Sequence, residues 1–159
     1  MKIAAILLIW LMCSLTGFYK TFLLKKRKED LDTIIKIIEY FGISADYERK
    51  VPREVFTSLP EKQKLPVFRE MENTDDVYGA FKKINRNQAY IDENDFLTLD
   101  NFFSMLGTVD IENQLSLVKK TLVELEEHKE NAQKKYNTYS KLYMTSGILV
   151  GSLFVILMI

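Results

Sequence analysis

Residues 110–159 constrain the fold of this chain more than any other stretch. They contain no proline, and no glycine before Gly147. Apolar side chains recur at steps of four and three: Ile111, Leu115, Val118, Leu122, Leu125, Ala132, Tyr136, Tyr139 and Tyr143, with Lys129 the single break in the series. That period describes one face of a helix buried against a partner helix. From Leu142 to Ile159 every residue is uncharged and almost all are apolar. As one helix the stretch would measure roughly 75 Å at about 1.5 Å per residue. Its first part suits packing in water, and its last part suits lipid.

Charge is segregated along the chain. The 22 basic and 22 acidic residues cancel, which argues against a nucleic-acid surface. Apart from Lys2, every charge lies between Lys20 and Lys141. With 159 residues, 47% of them hydrophobic, one folded domain can be built between the apolar ends. Cys13 is the only cysteine and His128 the only histidine. An intrachain disulfide is therefore excluded, a metal site of His and Cys ligands is not expected, and no cofactor is expected either.

The apolar run after Met1-Lys2 has the length of a membrane span when residues 18–24 are counted as its interfacial end. No small-residue cleavage pattern comes after it, since Gly17 is succeeded by Phe18, Tyr19 and Lys20. An uncleaved anchor is favoured over a signal peptide on that ground. Lys20 and then Lys25, Lys26, Arg27 and Lys28 come after the first run, while Lys134, Lys135 and Lys141 precede the second. Basic residues beside a span mark its cytoplasmic side. The predicted layout is an N-terminal transmembrane helix (1–24), a cytosolic helical bundle (25–141) and a C-terminal transmembrane helix (142–159). The predicted fold class is all-α: a membrane-anchored bundle in the cell membrane with both chain ends outside.

Between the spans, Leu31, Ile34, Ile35, Ile38, Phe41 and Ala45 have helical spacing, which predicts a first long helix to about Tyr47, with a bend near Gly42. Pro52 suits the first turn of a new helix, and Pro60 and Pro66 divide the next stretch into short pieces. Thr74 is read as the cap of a helix carrying Val77, Phe81 and Ile84. Phe96, Leu99, Phe102, Phe103 and Leu106 mark another helix, closed by Gly107, and Thr108 or Asp110 would start the last one. The expected bundle core comprises Ile34, Ile38, Phe102, Leu115, Val118, Leu122 and Leu125. No segment alternates with a period of two, so no sheet is predicted.

Little in the chain suggests catalysis, and no catalytic, cofactor or metal residues are assigned. There is no glycine-rich phosphate loop. His128, among Glu126, Glu127, Lys129 and Glu130, reads as part of a solvated helix face. Asp92, Glu93 and Asp95 lack the glycine and terminal glutamate of a calcium loop, so helix capping is the better reading. Gly147 and Gly151 form a GxxxG pair in the last span, and Cys13 and Gly17 form a second small pair at that spacing in the first. Both suit close helix packing in a membrane.

Leu106, Gly107, Asp110 and Gln114 form a motif at the start of the final helix. It is succeeded by Ala132, Tyr136, Lys141, Leu142, Tyr143, Gly147 and Gly151. With Thr16-Gly17-Phe18 in the first run, this pattern resembles stage III sporulation protein AB of endospore-forming bacteria. The resemblance covers nearly the whole chain. It departs from the family in the first long helix, where Phe41-Gly42-Ile43-Ser44-Ala45 stands in place of acidic residues. It implies a domain like the F-domain of type II secretion inner-membrane platform proteins, and a non-enzymatic role in a secretion-like apparatus between mother cell and forespore. The implied partners are a cytosolic ATPase, other membrane components of that apparatus and the lipid bilayer, with homo-oligomerisation compatible. The implied place is the mother-cell membrane around the forespore. The helix-start motif is read as structural first and partner-facing second. The alternative function is a two-span sensor or transporter subunit. The spans offer a transporter only Cys13, Ser14, Thr16, Thr145, Ser146 and Ser152 as polar groups.

Overall fold

The computed structural model describes residues 2–44, 52–60, 65–84, 90–106 and 111–158. The elements are α1 (Lys2–Ile43), α2 (Pro52–Ser58), a 3-10 helix (Pro66–Asn73), α3 (Val77–Lys83), α4 (Glu93–Met105) and α5 (Ile111–Met158), with no strand among the described residues. The length of α5 is explained by its sequence: it contains no proline, and its glycines fall only in its apolar end. The short elements start where proline fixes φ, at Pro52 and at Pro66. The chain divides into two compact units, Met1–Lys28 with Asn131–Ile159, and Glu29–Glu130.

The Glu29–Glu130 unit is built around aromatic and aliphatic side chains at helical spacing. On α1, Leu31, Ile34, Ile35, Ile37, Ile38 and Phe41 are buried. Phe41 meets Phe56 of α2 edge-on at 5.0 Å between ring centroids, and Phe102 of α4 at 5.9 Å. Phe103 lies 4.8 Å from Phe81 of α3 and 6.1 Å from Phe68 of the 3-10 helix. Each such pair is worth about 0.5–1.5 kcal/mol beyond the area it buries. The rings bind the three short helical pieces, which are too short to be stable alone, to the longer helices.

Local signals set the element ends. Asp92 and Asp95 form a reciprocal capping box at the start of α4: Asp95 N–H donates to Asp92 Oδ1 at 3.1 Å, and Asp92 N–H donates to Asp95 Oδ2 at 2.9 Å. The cap of α3 differs from expectation. Asp76, not Thr74, accepts the N–H of Gly79, at 2.8 Å, and Thr74 Oγ1 accepts the N–H of Asp76 just before the helix. The carboxylate sits nearer the exposed amides and interacts with the helix dipole as a charge. α1 is described as far as Ile43, and the predicted end of this helix near Tyr47 lies outside the described residues.

The buried face of α5 is rotated from the one the heptad predicts. Val118, Leu125 and Ala132 are buried, as is Thr121, while Leu115 and Leu122 are only half-buried. At 3.6 residues per turn, Val118, Thr121, Leu125 and Ala132 centre on a line from which Thr121 stands about 30° and Leu122 about 70°. The face turns because α5 is packed from two sides. Val118 meets α1 at Gly42, where an added Cβ would stand 3.0 Å from Val118 Cγ1. His128, on the edge of the face that Thr121 shares, meets α4 at Asp95.

Candidate functional site

Two features stand out: a glycine-lined contact between apolar helix segments, and a polar seam in the charged unit. The first lies in the unit of Met1–Lys28 and Asn131–Ile159. Here α1 and α5 run antiparallel, with Gly17 against Gly147 and Cys13 against Gly147 and Gly151. A Cβ on Gly17 would collide with the carbonyl oxygen of Tyr143. One on Gly147 would stand 2.9 Å from the carbonyl oxygen of Cys13, and one on Gly151 2.9 Å from Trp10 Cδ1. The backbones approach this closely because no side chain lies between them, the geometry small-xxx-small pairs allow in membrane helices.

Polar groups flank this contact. Thr21 Oγ1 lies 3.1 Å from its own-helix acceptor, the carbonyl of Gly17, and 3.1 Å from the carbonyl of Ser140 on α5. Trp10 Nε1 donates to Ser152 Oγ at 3.4 Å. Lys20 Nζ sits 5.3 Å above the centre of the Tyr143 ring. Between these groups lies an open cavity of about 220 Å³, floored by Gly17 and Gly147 and bordered by Thr16, Lys20, Tyr143 and Ser146.

The second feature explains the one break in the heptad. Lys129 pairs with Asp32 of α1, which Lys36 also meets at 2.6 Å, one turn along the same helix. These two ammonium groups hold the Asp32 carboxyl below its ordinary value, Lys129 being the larger influence. His128 departs from its expected place on a solvated face. It is half-buried, and its Nδ1 lies 3.0 Å from Oδ1 of the fully buried Asp95, close but not aligned as a hydrogen bond. Asp95 thus has two roles: one oxygen closes the capping box of α4, and the other faces the histidine of α5. The seam has a partial sign in the sequence: a charge at a core-facing position needs a partner, and Lys129 is such a charge. Nothing local in the sequence points to the Asp95–His128 contact.

Of the other expected core and motif residues, Ile34, Ile38, Phe102 and Leu125 are fully buried and Val118 nearly so. In the helix-start motif, Leu106 caps α4 and donates its N–H to the carbonyl of Phe102 at 3.0 Å, and Gln114 is half-buried on α5. Gly107, Thr108 and Asp110 lie outside the described residues. Among the described residues, no three His, Cys, Asp or Glu side chains gather as a metal site requires. One helix among them, Asn113–Met158, contains an apolar window long enough to cross a membrane, and 6% of that window is buried.

The family model for stage III sporulation protein AB matches residues 2–159. No curated protein and no solved structure matches the chain.

Proposed function

The chain belongs to the stage III sporulation protein AB family, and on that premise we propose that it is a two-span, non-enzymatic component of a secretion-like apparatus between mother cell and forespore. Membership makes it a protein of sporulation stage III, and the exposed apolar end of α5 makes it membrane-associated. Beyond that, the observation carrying the proposal is an inverted surface in the unit of Met1–Lys28 and Asn131–Ile159. Leu8, Leu11, Met12, Leu15 and Phe18 on α1 are exposed, as are Ile148, Leu149, Leu153, Phe154, Ile156 and Leu157 on α5. The residues turned inward are small: Gly17 and Gly151 are buried. A soluble protein places such side chains the other way round. Lipid covering both helices makes the arrangement favourable, and small residues then form the helix contact.

In this reading the basic residues after the first span and before the second hold residues 25–141 in the cytosol. The spans fix that domain to the mother-cell membrane around the forespore, beside the other membrane components of the apparatus. The cytosolic domain docks a soluble ATPase. Without a phosphate-binding loop, the chain would draw ATP-driven work from that partner. Its balanced charges, 22 basic and 22 acidic, suit a polar protein–protein surface. The same domain is free to self-associate.

The test is a titration of the purified ATPase against the full chain in lipid nanodiscs at moderate salt. Saturable binding that weakens on reversing exposed charges of residues 25–141, with the helical signal unchanged, is expected. No binding at high micromolar concentration would reject docking and reduce the role to anchoring.

A further inference from the structure

The cavity beside the glycine contact carries an inference beyond the anchoring role, though it rests on the reading that both apolar helices lie in a membrane. Its volume, about 220 Å³, exists because Gly17 and Gly147 form its floor without side chains. Its border is polar at one level. Thr16 and Ser146 spend their hydroxyl protons on their own helices, donating to the carbonyls of Cys13 at 2.7 Å and Tyr143 at 3.2 Å. Lys20 is the one charged residue lining the cavity, and its ammonium lies over the Tyr143 ring. Farther along, the lining turns apolar, with Cys13 and Val150 toward the level of Trp10.

We propose that this cavity is a binding site for an anionic phospholipid, with the headgroup phosphate on Lys20 and one acyl chain lying past Val150 toward Trp10. Three observations select this occupant. The cavity is open rather than enclosed, as a bilayer lipid needs. Its single cation stands at one end of an otherwise uncharged groove. That end is also the one nearest in sequence to the basic residues at 25–28 and to Lys141, where headgroup phosphates lie in the proposed topology. Basic pockets between membrane helices on the cytoplasmic side suit anionic headgroups. A zwitterionic lipid offers the same phosphate, but its own ammonium competes with Lys20 for it, so selection favours net negative charge.

Trp10 is the only tryptophan, which supplies a built-in reporter. The full chain is reconstituted in phosphatidylcholine vesicles containing a low, equal mole fraction of phosphatidylglycerol or phosphatidylcholine brominated in the acyl chains. Bromine quenches Trp10 fluorescence on contact. Brominated phosphatidylcholine should quench to the extent that any lipid surrounds Trp10. Brominated phosphatidylglycerol should quench more, saturably, with a local enrichment of about fivefold, the order expected for one lysine meeting an anionic headgroup. Lys20→Gln should reduce that excess to the phosphatidylcholine level, and Lys135→Gln, outside the cavity, should leave it intact. Equal quenching by the two lipids would overturn the site while leaving the membrane reading standing. An excess that survives Lys20→Gln and disappears with added salt would overturn it too, in favour of diffuse attraction to the basic flanks. Quenching by neither lipid would instead reject the placement of the first helix in the bilayer, and the site with it.

Discussion

A single substitution tests the glycine contact through its geometry: Gly151→Cys opposite the native Cys13. A Cβ built at position 151 stands 3.4 Å from Cys13 Cβ. Disulfides form at Cβ separations of about 3.5–4.5 Å, so a shift of a few tenths of an ångström brings the pair into range. The new Cβ would also stand 2.9 Å from Trp10 Cδ1, a contact that the indole can relieve by rotating. Copper-catalysed air oxidation of the variant in membranes should therefore join the two thiols within one chain. The assay counts free thiols with a polyethylene-glycol maleimide under denaturing conditions, before and after oxidation. The expected result is a monomer that changes from two modifiable thiols to none, and returns to two after reduction. Leu149→Cys is the control: Leu149 is 62% exposed and faces away from the contact, so both thiols should stay modifiable in the monomer. A Gly151→Cys protein that keeps both thiols, or yields only cross-linked dimers, would show that the two helices do not meet within one chain at this register.

The remaining predictions concern the charged unit, read by urea unfolding of the full chain in mild detergent. Leu125→Ala should cost about 2–5 kcal/mol because Leu125 is fully buried, whereas the half-buried Leu122→Ala should cost clearly less; the reverse order would restore the unrotated heptad face. Asp95→Ala should destabilise more than His128→Ala, since it removes the half of the capping box that accepts the Asp92 N–H as well as the α4–α5 contact; equal losses would show that the capping role has been misjudged. Because the Asp32 carboxyl is held below its ordinary 3.8, its contribution is fully present above that value and is lost as pH falls through its lower folded-state value. Asp32→Asn should thus differ from wild type by no more than about 1 kcal/mol, the range of part-exposed pairs, at pH 6, and the gap should close below pH 3.8. A gap that widens on acidification would contradict the assigned pairing.

Particular residues show where sequence is enough. Pro52 starts α2, Asp92 and Asp95 cap α4, and the proline-free heptad stretch becomes one helix, because each depends on interactions within a few residues. Period locates the stripe on α5 but not its centre. Two helices press on α5 from different directions, and their combined positions decide that Thr121 rather than Leu122 faces inward. His128 is misplaced by sequence for a related reason: its neighbours along the chain are charged, but its neighbour in space is Asp95. Thr74 and Asp76 are both acceptable caps, and the backbone path of the turn chooses between them. In the apolar unit, the small residues at 13, 17, 147 and 151 are legible as a pattern. The cavity that Gly17 and Gly147 leave beside Lys20 is not, since it depends on the register between two distant segments.

The membrane topology of the chain decides whether its middle domain is cytosolic. With Cys13→Ser as background, single cysteines are placed by Asp75→Cys and Met158→Cys, and intact vegetative cells, which carry the chain in their surface membrane, are treated with a membrane-impermeant maleimide. Asp75 suits the purpose because its side chain is 87% exposed. Position 158 should label in intact cells, and position 75 only after the membrane is opened. Labelling of position 75 in intact cells would contradict a cytosolic middle domain held between two spans.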